Sequence, residues 1–168
     1  TDIEKIMPVI NQYKIEALLF VMSDINKANR KELNNNHKLL TFSQIKKLHK
    51  LGLNIGSHSA THADLSKLSR KDLIKEIIDS KKSLEKKLDF KINSFAYPKG
   101  IFTDEVLQVV KKAGYKYAFT TQKGTITNKT NPLVIPRTVI DKSKSPSEFP
   151  FFFSESAFYL RAIIDNLG

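Results

Sequence analysis

The chain has 168 residues, 40% of them hydrophobic, which suits a single globular domain over residues 1–168 with a sizeable core. It has no cysteine, so disulfides and thiolate metal sites are excluded, and any metal must rest on histidines and carboxylates. Lysines and arginines number 28 against 17 acidic residues, a net charge of +11, but the lysines are spread along predicted helices without interleaved aromatics, so no nucleic-acid partner is expected.

In chain order, residues 2–13 read as a helix with Ile3, Ile6, Met7 and Ile10 on one stripe. The run IEALLFV (15–21) reads as a buried strand and the Asn-rich stretch 24–40 as a loop. Thr41 is a candidate N-cap with Gln44 three residues on, opening a helix that Gly52 ends. LNIGS (53–57) is a short strand. Ser69 and Asp72 pair to cap a long helix reaching Leu88, with Leu73, Ile77, Leu84 and Leu88 facing the core. INSFAY (92–97) is a strand stopped by Pro98 and Gly100. Thr103 caps a helix that Gly114 closes, and YKYAFTT (115–121) is the next strand. PLVIPRTVI (132–140) reads as a last strand, with Pro136 placing it at an edge or a strand end. The aromatic tail ends in a helix, and its Phe151–Phe153 cluster reads as core or as a contact surface.

Alternating strands and helices predict an α/β fold with parallel strands, in which chemistry gathers at the strands' C-terminal ends. His58, the turn Tyr97–Gly100, Thr120–Thr121 and Arg137 all fall at such ends, on one predicted rim. His58 and His62 take half of the chain's four histidines and stand four residues apart among small residues. One helical turn would bring both imidazoles to one side, where they can meet a metal. The spacing alone is equally that of polar loop residues. His37, in the polar loop, and His49, on the Thr41–Leu51 helix, have ordinary surface readings.

The stretch GLNIGSHSATHADLSKLS resembles the second motif of the polysaccharide deacetylases of carbohydrate esterase family 4, the NodB-homology fold. SFAYPKGIFTDEVLQVVKKAGYKYAFTT is similar to the third motif and the helix and strand after it, and the likeness runs over residues 3–140 in the right order. The resemblance implies a distorted (β/α) barrel that hydrolyses N-acetyl groups from a polysaccharide of N-acetylated amino sugars, closest to the poly-N-acetylglucosamine deacetylase subgroup. It implies one divalent metal, usually zinc, held by two histidines and an aspartate, with His58 and His62 in the histidine positions. It further implies that the backbone N–H of Lys99 stabilises the oxyanion, in a turn fixed by Pro98 and Gly100. Tyr97 and Pro98 are the expected substrate-binding positions, although Tyr97 can equally pack.

The chain departs from the family pattern in three places. The family's Asp pair belongs to a strand preceding the first helix, and by spacing that strand would lie upstream of Thr1. The barrel's first strand is therefore expected to be absent from this chain and its metal site incomplete. Asp2 falls a few residues too late to replace the pair. The family's motif-three arginine is Ala96 here, and Arg137 is expected to supply the guanidinium that orients the catalytic base. No histidine comes after His62, so the late general acid has no counterpart. An extracytoplasmic or cell-surface location is implied by the resemblance. No secretory signal opens the chain, and the longest apolar runs, such as ALLFVM, are too short to span a membrane.

Overall fold

The computed structural model describes residues 2–28 and 39–140, with residues 145 and 147. Helix α1 (Asp2–Gln12) leads to strand β1 (Leu18–Val21), α2 (Phe42–Lys50) and β2 (Asn54–Ser57). Helical backbone then runs from α3 (Arg70–Ile74) through a π-helical turn (Lys75–Asp79) into α4 (Ser80–Leu88), followed by β3 (Ser94–Ala96), α5 (Asp104–Lys112) and β4 (Tyr117–Phe119). The strands form one parallel sheet in the order β1-β2-β3-β4.

The caps act where the sequence places them. The Thr41 hydroxyl accepts from Gln44 N–H while the Gln44 side-chain Oε1 accepts from Thr41 N–H, satisfying donors that a helix start leaves open. Ser69 caps α3 through Asp72 N–H, and Thr103 caps α5 through Val106 N–H. The predicted stripe Leu73, Ile77, Leu84 and Leu88 is buried throughout. On α1 the stripe is narrower than predicted: Met7 is buried, but Ile6 is 50% exposed.

The sheet alternates as a strand must. Leu19 and Ile55 stand opposite each other in the ladder, as do Phe95 and Ala118, and these rows join the core beneath the helices. Phe20 pairs with Gly56, and Phe119 with Ala96, on the other face, where the Phe20 and Phe119 rings meet edge-on at 5.5 Å. A Cβ at Gly56 would come within 2.6 Å of the Phe20 ring, so glycine lets that ring lie across β2.

The predicted strand 132–140 is a correction. Only Ile135 bridges the sheet, to Phe119, with Ile135 N–H donating to Ala118 O at 2.8 Å and Thr120 N–H to Ile135 O at 2.9 Å. Beyond it Arg137 N–H donates to Gln122 O at 3.1 Å, past the end of β4, and Pro136 leaves no N–H on the outer side for a further strand. The aromatic tail with Phe151–Phe153 lies outside the described residues, as does His37. No helix among the described residues is long and apolar enough to cross a membrane.

Candidate metal and catalytic site

His58 directly follows β2, and its N–H donates to Val21 O at 2.9 Å, continuing the pairing with β1. Its Nδ1 lies 2.8 Å from Ala96 O at the end of β3. A carbonyl can only accept, so Nδ1 carries the proton and Nε2 keeps a lone pair. Burial pushes the His58 pKa down from 6.5 to about 4, with the charges of His62 and Arg137 acting in the same direction and the Ala96 bond against it. The ring is therefore neutral at neutral pH, the state a metal ligand needs.

His62 reaches its neighbour by a different route from the expected helical turn. Residues 58–62 are not helical, and Ser59 and His62 both adopt left-handed backbone, with φ of 64° each. Such conformations cost non-glycine residues about 1–2 kcal/mol each. Hydrogen bonds offset that cost. The buried Ser59 hydroxyl accepts from His62 N–H at 3.0 Å, and the Ser59 and Ala60 carbonyls accept from Ser23 and Asp24 N–H at 3.2 and 3.0 Å. The loop thus folds back and sets the two imidazoles edge to face, 4.8 Å between centroids.

On the neighbouring strand ends, Tyr97 N–H donates to Phe119 O at 3.0 Å. Tyr97 and Pro98, the expected substrate-binding positions, lie in the interior. Tyr97 is fully buried, its ring against Phe95 and Phe102 and its hydroxyl donating to Leu133 O at 2.9 Å, with burial pushing the phenol pKa up. Pro98 is buried in the turn behind it. Neither side chain presents a surface to a sugar. Lys99 is exposed, in left-handed backbone with φ 58°, between Tyr97 O accepting from Gly100 N–H at 2.9 Å and Pro98 O accepting from Ile101 N–H at 3.2 Å. The Thr121 hydroxyl donates to Lys99 O at 3.2 Å. An open cleft of about 330 Å³ is lined by Lys99, Gly100, Ile101, Phe102, Thr121 and Gln122.

Arg137 joins this rim. Its Nε donates to Thr120 O at 2.8 Å and its guanidinium lies 5.5 Å over the Phe20 ring, while Phe20 in turn sits 6.4 Å from the His58 ring. The structure therefore brings His58, His62 and Arg137 to the C-terminal ends of the strands. His49 belongs to the opposite end: its Nδ1 bonds Leu53 O at 3.0 Å, its ring stacks on Phe90, and it lines an opening at the strands' N-terminal ends.

Sequence reasoning missed Glu76. This buried residue of the π-helical turn faces the histidine loop and accepts three hydrogen bonds from Ala60 and Thr61. The available signal was an acid beside Ile77, in the middle of a core-facing stripe. As to metal, two imidazoles set side by side suit a divalent cation as two of its donors. Among the described residues no group of three or more histidines and carboxylates accompanies them.

Fold and site together define an α/β domain with a histidine pair at the C-terminal rim of a parallel sheet. The polysaccharide deacetylase profile matches residues 1–118, and the chain belongs to that family. It is 30% identical over 150 residues to the poly-beta-1,6-N-acetyl-D-glucosamine N-deacetylase of Staphylococcus aureus strain MRSA252, covering 83% of this chain and 50% of that protein. The chain thus spans about half the length of the curated relatives it matches. Among solved structures, the Streptococcus pyogenes deacetylase PplD in complex with acetate superposes with a TM-score of 0.72 at 26% identity, covering 88% of this chain and 63% of that one. A polysaccharide deacetylase from Bacillus cereus gives 0.62 at 30% identity, over 74% of this chain and 38% of that one. The fold is the (β/α) barrel type of these deacetylases, of which the described strands form a parallel arc.

Proposed function

We propose that the protein hydrolyses the amide bond of N-acetylated amino sugars in an extracytoplasmic or cell-surface polysaccharide, releasing acetate. The observation that carries this reading is the His58–His62 pair, its ring centroids 4.8 Å apart, with His58 held neutral by burial and its Nε2 lone pair directed away from the Ala96 anchor. His58 and His62 would hold a divalent cation, zinc in this proposal. Such an ion supplies Lewis-acid polarisation of the acetyl carbonyl and acidifies water. The chain's own groups do the rest. The Lys99 backbone N–H, in its fixed left-handed turn, is assigned to the developing oxyanion. Arg137, anchored through Thr120 O, is assigned to aim and keep ionised the carboxylate that acts as base.

The test is incubation of the zinc-loaded chain with β-1,6-linked N-acetylglucosamine oligomers, followed by mass spectrometry for stepwise loss of acetyl mass. Acetyl loss that disappears in His58→Ala supports the reading. Oligomer binding without acetyl loss, in this chain and in an N-terminally extended form carrying an Asp pair, would instead support a non-catalytic carbohydrate-binding member. The second reading draws on the absence of a third donor beside the histidines among the described residues.

The donor count leads to a first expected outcome. Zinc should bind the 168-residue chain weakly, because two imidazole nitrogens with no third donor beside them among the described residues hold a dication poorly. Isothermal titration should show binding that tightens in the extended form and vanishes in His62→Ala. Tight stoichiometric binding to this chain would mean that another residue, Asp2 first, completes the site.

Arg137→Lys should lower turnover of an active form by ~10–100-fold, the usual scale for groups supporting a metal site. Lysine keeps the charge but not the planar fork. The melting temperature should change little, since lysine can still donate to Thr120 O. Turnover and melting are measured together, and unchanged turnover would reduce Arg137 to a packing role over Phe20.

A further inference from the structure

Glu76 is 9% exposed, and its carboxylate is occupied by one loop. Oε2 accepts from Ala60 N–H and Thr61 N–H at 3.0 Å each, and Oε1 accepts from the Thr61 hydroxyl at 2.7 Å. A buried carboxylate is costly unless hydrogen-bonded, and unsatisfied backbone donors are costly as well. The two requirements meet here. The backbone of residues 58–62 is neither helix nor strand, so Ala60 and Thr61 have no secondary-structure acceptors for their N–H groups. The Ser59 hydroxyl ties His62 N–H, but that bond lies within the loop and cannot fix it to the domain. Fixation comes from two sides: Ser23 and Asp24 N–H donating to the Ser59 and Ala60 carbonyls, and Glu76 accepting from the Ala60 and Thr61 N–H groups. Glu76 itself is carried by the π-helical turn Lys75–Asp79, whose own Ile77 is fully buried and anchors it in the core. Such turns recur at functional sites.

We propose that Glu76 is a positioning residue that clamps the loop and so holds His62 against His58 in a geometry ready for a cation. The inference rests on the reading of His58 and His62 as metal donors. Glu76 touches neither imidazole in the bonds described; it acts through the backbone between them. The clamp ties the geometry of the pair to the long helix, so a change at residue 76 should reach the donors without altering either one.

The experiment uses the 168-residue chain in wild-type, Glu76→Ala, Glu76→Gln and Thr61→Val forms. Cross-ring NMR contacts between His58 and His62 are recorded without metal, and zinc affinity is measured by isothermal titration well below each melting transition. Glu76→Ala should lose the cross-ring contacts and bind zinc ~10–100-fold more weakly, the scale of outer groups that orient metal ligands. Glu76→Gln, which retains an acceptor oxygen, should recover most of both, and Thr61→Val should fall between. A purely stabilising glutamate would lower the melting temperature and leave both readouts in the folded protein unmoved. A folded Glu76→Ala with intact cross-ring contacts and affinity within ~2-fold of wild type would overturn the proposal. Should Glu76→Ala fail to fold, unchanged contacts and affinity in both Glu76→Gln and Thr61→Val would overturn it equally. If the wild type takes up no zinc, the metal reading fails, and the metal-free contacts still decide whether Glu76 places His62.

Discussion

Gly100→Ala should destabilise the protein by about 2–5 kcal/mol, combining a left-handed backbone with an over-packed contact. Gly100 has φ +73°, and an ideal Cβ there would lie 2.0 Å from Thr121 Oγ1, 2.5 Å from Thr121 N and 2.7 Å from Thr121 Cβ. Two of those atoms cannot be relieved by rotating a side chain, so the turn or the end of β4 must move. The same displacement would break the Thr121 hydroxyl bond to Lys99 O. Denaturant unfolding should show a large fall in midpoint, and Thr121→Ala in the same chain should restore only part of it, because Thr121 N and Cβ remain. The Lys99 amide resonance should shift in any folded fraction, since residue 99 sits inside the disturbed turn. A midpoint close to wild type would mean that β3 and β4 do not converge on this turn as described.

Acid should weaken the fold in a window set by His58. Its pKa is about 4 when folded and 6.5 when free, so between these values the unfolded chain binds a proton that the native chain refuses. Stability then rises with pH, and falls as pH drops from about 6.5 toward 4. At about 1.4 kcal/mol per pKa unit, a shift of this size is worth up to about 3 kcal/mol at neutral pH. The exposed carboxylates act lower. Hydrogen bonds from Ser66 and Lys75 hold Asp64 and Asp72, respectively, below 3.8, so their contribution is lost only as pH falls beneath that value. Urea unfolding at a series of pH values should show the slope, and His58→Gln should flatten it between pH 6.5 and 4 while leaving the more acidic limb. A slope unchanged by His58→Gln would place the titrating group elsewhere.

Local chemistry made much of this fold readable. Thr41 with Gln44, Ser69 with Asp72, and Thr103 announce helix starts through side chains that satisfy specific backbone donors, and they do so in the structure. The stripe from Leu73 to Leu88 was legible because core burial imposes helical spacing. The π turn inside it was not, because a single widened turn leaves that spacing nearly intact. The segment 132–140 misled because its apolar residues suit a strand, while β4 ends at Phe119 and offers it a regular bridge only at Ile135. At the site, His58 and His62 were visible as residue types, but the loop that joins them was not. Its two left-handed residues depend on Glu76, Ser23 and Asp24, contacts that sequence spacing does not encode. Tyr97 was ambiguous because a phenol suits a sugar or a core equally, and its burial with the hydroxyl on the Leu133 carbonyl is a contact between distant residues that spacing does not encode.

The His58 imidazole is oriented by the main chain of Ala96, and this gives the two supports of the pair unequal fates under mutation. Every amino acid carries the same carbonyl, so residue 96 can drift to another small type with the ring's protonation and aim undisturbed. Glu76 has less latitude, because the acceptor oxygens sit on its side chain and most replacements remove them. Random mutagenesis scored for metal uptake should therefore find position 96 open to several small residues and position 76 limited to glutamate and glutamine, an asymmetry that separates anchoring by backbone from anchoring by side chain.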